Sequence, residues 1–142
     1  MAKVVEKIMP TKLLIPKRQR VCAYARVSSG KDEMLHSLST QISYYSEYIQ
    51  SRHDWIYAGV YADSAVTGTR EAREQFQNML TECRNGNIDM IITKSITRFA
   101  RNTVVLLNTV RELKQLGVDV WFEKENIHSN SGDGELMLSI SY

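Results

Sequence analysis

Four short apolar runs alternate along this chain with segments whose apolar residues recur at helical spacing, and few architectures accept that order. The runs are Arg20 to Val27, Trp55 to Tyr61, Ile88 to Thr93 and Val118 to Phe122. They are rich in β-branched and aromatic residues, which favour strands. Between the first two, Leu38, Ile42, Tyr45 and Ile49 share a helical stripe, with Ser37 as the expected N-cap. Ala72, Phe76, Met79, Leu80 and Cys83 mark a second helix that Gly86 stops; Leu106, Val110 and Leu113 mark a third, closed by Gly117. The third strand is apolar on both faces apart from Asp89, as a strand covered on both sides should be. The expected fold is α/β: an open, mainly parallel sheet of four to five strands with helices on both faces.

The 142 residues suit one domain. Residues 1–18 mix prolines, basic residues and short apolar pairs, and read as an N-terminal arm; 19–132 form the body. Residues 133–142 open another helix near Glu135, which reads as the truncated start of a longer one and leaves Leu136, Leu138 and Ile140 without partners. Pro10 and Pro16 break the N-terminal apolar stretches, and no run reaches membrane-spanning length, so a cytoplasmic protein is expected. Cys22 and Cys83 lie in apolar surroundings outside any CxxC pair and read as buried thiols. His36, His53 and His128 lack ligand spacing, so neither a metal nor another cofactor is expected.

A net charge of +2 does not announce a nucleic-acid partner, but its distribution is uneven. Lys17, Arg18 and Arg20 form one basic cluster, and Lys94, Arg98 and Arg101 a second. Sites in open α/β sheets form beyond the carboxyl ends of the strands. At the first such end, Arg26 and Ser28 point to the same side with a period of two. The second strand ends at Asp63, which serves equally well as a loop cap. Beyond the third, a helical turn would set Lys94, Arg98 and Arg101 at i, i+4 and i+7 on one face. Several guanidiniums around a serine suit phosphoryl transfer, which needs charge stabilisation and bidentate phosphate contacts. Each feature also has a plainer role as turn residue or solvated face. Tyr44, Tyr45 and Tyr48 read as core and surface residues rather than a stacking platform.

The segment Tyr24-Ala25-Arg26-Val27-Ser28-Ser29 closely resembles the nucleophile motif of the resolvase/invertase family of serine site-specific recombinases. Ser37-Leu38-Ser39-Thr40-Gln41, Tyr61-Ala62-Asp63, Arg73-Glu74-Gln75-Phe76 and Lys94 to Asn102 resemble further family motifs, in order, across residues 20–142. Phe122 to Ile127 is most similar to the large serine recombinases of phages and mobile elements. The resemblance implies a resolvase-like catalytic domain that needs no metal and acts on DNA at attachment or resolution sites. Ser28 would be the nucleophile, forming a 5′-phosphoserine linkage. Arg26, Arg73, Arg98 and Arg101 would hold the scissile phosphate, with Gln41, Asp63 and Lys94 in support. Homodimers and a synaptic homotetramer are implied, built on the long helix that residues 133–142 would begin.

One departure stands out. Many small resolvases carry Asp immediately before the first arginine of the basic motif, where this chain has Thr97, a poor proton donor or acceptor. The rival readings are a catalytically inactive DNA-associated regulatory module with the same fold, and an unrelated α/β enzyme acting on small phosphates. The latter would carry a Gly-rich phosphate loop or a metal site. The 142-residue chain by itself is expected to fold, to bind DNA weakly and not to recombine it.

Overall fold

The computed structural model describes residues 17–27, 32–64 and 73–142. Residues 1–16 of the expected arm at 1–18, and Ser28, lie outside the described residues. The elements run β1 (Gln19–Val27), α1 (Asp32–Ser51), β2 (Trp55–Ser64), α2 (Glu74–Arg84), β3 (Met90–Thr93), α3 (Ile96–Phe99), α4 (Thr103–Gln115), β4 (Asp119–Phe122), β5 (Ile127–His128) and α5 (Gly134–Ser141). They build one five-stranded sheet in the order β2-β1-β3-β4-β5. The first four strands pair in parallel and β5 returns antiparallel to β4. The α/β architecture expected from the alternation is therefore the one observed.

Strand side chains alternate between two apolar layers. Val21, Ala23, Met90 and Ile92 face α1, where Tyr45, Ile49 and Trp55 complete one core. Cys22, Tyr24, Ile91, Val120 and Phe122 face the opposite way, against Phe76, Met79, Phe99, Leu106 and Leu113 of α2, α3 and α4. In α2 the stripe residues Phe76, Met79, Leu80 and Cys83 are buried, Ala72 lying outside the described residues, and in α4 the stripe Leu106, Val110 and Leu113 is buried. A bulge lies in β2, where the register with β1 jumps between Val21 and Ala23 and Gly59 takes φ 103°. Glycine alone enters that backbone region without strain.

Several expectations need correction. Helix α1 begins at Asp32, five residues before Ser37, so Ser37 is an internal residue rather than the N-cap. Ile42, placed on the inward stripe, is 37% exposed, because α1 meets the sheet mainly through Tyr45 and Ile49 near its C-terminal end. The loop after β4 contains β5, too short to leave a periodic signal. Leu138 does not lack partners: it is fully buried in the core beside α4, while Leu136 and Ile140 are exposed. No described helix is long and apolar enough to cross a membrane.

Candidate active site

The carboxyl ends of β1, β2 and β3 meet around the short segment 95–102. Here the continuous helical face expected of Lys94, Arg98 and Arg101 does not form. Helix α3 spans only Ile96–Phe99, and both its flanks, Ser95 and Ala100, are extended. Asn102 is extended as well and caps α4, accepting from the Val105 amide at 2.9 Å. The three cations consequently point along separate paths.

Main-chain carbonyls hold three arginines here: two are fastened to this segment, and the third, on the segment, is fastened to β1. Arg26 Nη2 donates to the Thr97 carbonyl at 3.2 Å, and Arg98 Nη1 donates back to the Arg26 carbonyl at 2.8 Å. Arg73 Nη2 donates to the Phe99 carbonyl at 2.5 Å. Guanidinium forks carry five donors each, so a single carbonyl bond does not exhaust one. Arg73 precedes α2 in the left-handed region, at φ 49° and ψ 43°, a conformation that costs a non-glycine residue about 1 kcal/mol or more. Its guanidinium lies 3.7 Å from the centre of the Phe76 ring, an attractive placement for a cation.

Asp63 takes a role that its position at a strand end only half announced. Its carboxylate accepts from the Gln75 and Phe76 amides at 2.9 and 3.0 Å, capping α2, whose own N-cap residue Arg73 offers no side-chain acceptor. A negative charge there also meets the positive end of the helix dipole. The same carboxylate accepts from the Tyr24 hydroxyl at 2.8 Å, and that hydroxyl accepts from Arg73 Nε at 3.4 Å. Tyr24 is thus the residue that sequence reasoning passed over as a plain strand residue. It is fully buried, and burial pushes its hydroxyl well above its usual pKa, with Arg73 pulling the other way. The proton stays on Tyr24 and points at Asp63.

The remaining candidates fall into two groups. Arg101 lines a groove of about 440 Å³ with Arg73, Gln77, Arg84 and Glu112, between α2 and α4. Gln41 and Lys94 line a different cleft, between α1 and the ends of β3 and β4. Gln41 donates to Ser37 Oγ at 3.4 Å, one turn back on α1. Thr97 is exposed at the surface, its hydroxyl 3.2 Å from that of Ser95. Among the described residues no group of His, Cys, Asp or Glu is arranged to hold a metal ion. The ends of β1 and of β3 thus bring Arg26, Arg73 and Arg98 together, with Asp63 and Tyr24 behind them.

Residues 21–141 match the family described as "Resolvase, N terminal domain". A resolvase of Clostridium perfringens (strain 13 / Type A) is 30% identical over 110 residues, covering 78% of this chain and 52% of that protein. The chain spans about half the length of the curated relatives it matches. Among solved structures, a resolvase family site-specific recombinase from Streptococcus pneumoniae superposes with a TM-score of 0.70 at 27% identity, over 87% of this chain and 83% of that one. The N-terminal catalytic domain of TP901-1 integrase shares the fold, with a TM-score of 0.63 at 23% identity over 86% and 90% of the two chains. With residues 21–141 of the chain matched, this protein belongs to the resolvase family.

Proposed function

We propose that the chain is the catalytic domain of a serine site-specific recombinase acting on DNA. The observation that supports this most is the meeting of Arg26 and Arg73 on the Thr97 and Phe99 carbonyls, with Arg98 tied back to the Arg26 carbonyl, at the β1 end from which the sequence runs on to Ser28. In this reading the Ser28 hydroxyl attacks a DNA phosphodiester. The Ser Oγ–phosphorus bond forms, the phosphorus–O3′ bond breaks, and the serine proton leaves as the departing 3′-oxygen gains one. A 5′-phosphoserine and a free 3′-hydroxyl result, and the reverse attack rejoins strands without an external energy source.

Arg26, Arg73, Arg98 and Arg101 take the phosphate oxygens and stabilise their growing charge. Asp63 and Tyr24 position Arg73, while Gln41 and Lys94 act from the flank. Thr97 replaces the familiar acidic residue, so the proton passes through an arginine or water. Homodimers that synapse as a homotetramer, with subunit rotation between cleavage and rejoining, complete the reading.

The test pairs the protein with its Ser28→Ala variant on recombination-site DNA carrying a nick that traps the cleaved strand. A covalent protein–DNA adduct on a denaturing gel is expected without added metal, and only with Ser28 present. An adduct formed by the variant would remove Ser28 as nucleophile. Bound DNA with no adduct from either protein would favour the inactive module.

A further inference from the structure

The cleft that receives Gln41 and Lys94 is built unlike the arginine site. It measures about 510 Å³, and Tyr44 and Tyr45 of α1 form one wall, with Glu123 and Lys124 opposite. That volume lies within the range of sites that enclose a small organic group. Tyr45 is core, and its hydroxyl donates to Glu123 Oε1 at 2.5 Å. Tyr44 is 53% exposed, although it sits edge-on to Tyr45 and near-parallel to Tyr48 with ring centres 6.0 Å apart. Its neighbours hold that ring in place while leaving part of it to solvent.

The strand ends bring two cations to the same cleft. Glu123 and Lys124 continue the β3–β4 ladder past its last strand residues, donating from their amides to the Thr93 and Lys94 carbonyls at 3.0 and 2.8 Å. Lys94 and Lys124 are thereby fixed on adjacent chains, both exposed. Neighbouring like charges on paired strands are unfavourable by themselves. Glu123, the single carboxylate among the described residues of the cleft lining, is already bonded to Tyr45. An anion carrying a flat aromatic group would meet both the surplus positive charge and the exposed ring.

We propose that this cleft binds one unpaired nucleotide of single-stranded DNA, the base stacking on Tyr44 and the phosphate lying between Lys94 and Lys124. Bases within a duplex are already stacked and present only their edges, whereas an unpaired base offers its face to an aromatic side chain. Continuity favours a DNA strand over a free nucleotide. Lys94 leads directly into the segment to which Arg26 and Arg73 are fastened, so the cleft and the arginine site lie along one stretch of chain, as a continuous strand would need. The inference rests on the recombinase reading for its choice of strand, but not on the serine chemistry.

The experiment is an anisotropy titration of the 142-residue chain with a labelled twelve-nucleotide single strand, the same sequence as duplex, and free thymidine monophosphate as competitor. Tyr44→Ala should weaken single-strand binding roughly tenfold, within the span measured for one base–aromatic stack, and should leave duplex binding unchanged. Tyr44→Phe should restore it. Replacing Lys94 and Lys124 with alanine should reduce the salt slope by about 0.7, the share of one single-strand phosphate contact. The titration reads binding without strand cleavage, so failure of the serine mechanism leaves this result intact. Equal losses on single strand and duplex, or none with Tyr44→Ala, would overturn the proposal. Competition by thymidine monophosphate as strong as that of the oligonucleotide would overturn the strand as occupant.

Discussion

At Tyr24 one phenolic oxygen joins a carboxylate on the neighbouring strand to a guanidinium at the head of a helix. Tyr24→Phe keeps the ring and its edge contact with Phe76 but deletes that junction. The expected cost in stability is about 1 kcal/mol, a typical net hydrogen bond, read from the urea midpoint. If Arg73 depends on the junction for its aim, DNA cleavage falls further, roughly ten- to hundredfold, as displacement of a reacting contact does. A loss of stability with cleavage unchanged would show that the hydroxyl serves the fold alone. Neither the strand pattern nor the residue type marks Tyr24 for this role. The signal is the register, which sets Tyr24 and Arg26 of β1 beside Tyr61 and Asp63 of β2.

Elements whose cohesion comes from packing were readable in the sequence, and elements held by remote acceptors were not. The stripes of α2 and α4 could be read because Phe76, Met79, Leu80 and Cys83, and Leu106, Val110 and Leu113, recur at helical spacing and are all buried. The break around α3 was not readable. Its first amide, that of Ile96, is met by Glu125 Oε1 at 3.2 Å from beyond β4, which no local motif records. The caps give two predictions at this scale. Asn102→Ala should destabilise the domain by about 1 kcal/mol through the first turn of α4, and Asp63→Ala by more, since two α2 amides and the Tyr24 hydroxyl lose their acceptor together. Equal thermal midpoints for the two variants would argue against Asp63 as the cap of α2. Gly134 is a close-approach position. A Cβ there would lie 2.6 Å from the Ser129 carbonyl oxygen, so Gly134→Ala should shift α5 or lower the melting temperature by several degrees.

The whole molecule carries a group of buried acids that ionise only at high pH. Burial raises the Cys22 thiol and takes that of Cys83 up to about 12, and it lifts the Tyr24 and Tyr45 hydroxyls as well. All four have folded pKa values above their unfolded ones, so the folded state favours their neutral forms. Their contribution is fully present below the ordinary thiol value near about 9 and is lost as pH rises beyond it. Denaturant midpoints should therefore fall steadily from about pH 9 toward 12. A flat alkaline limb would contradict this. Both thiols should also resist a disulfide reagent at pH 8 until the chain is unfolded.

The carbonyl clasps of Arg26, Arg73 and Arg98 have a further consequence for how a substrate is admitted. Each of these side chains spends one donor on the main chain of a neighbouring segment, so charge and scaffold are the same atoms. In the proposed reading, a phosphate that draws a guanidinium toward itself also tugs on Thr97, Phe99 or β1, and occupancy at one point is felt as tension between β1 and the segment beyond β3. Lysine at any of these places would keep the charge and release the tie, so charge-conserving replacements here should behave as mechanical lesions.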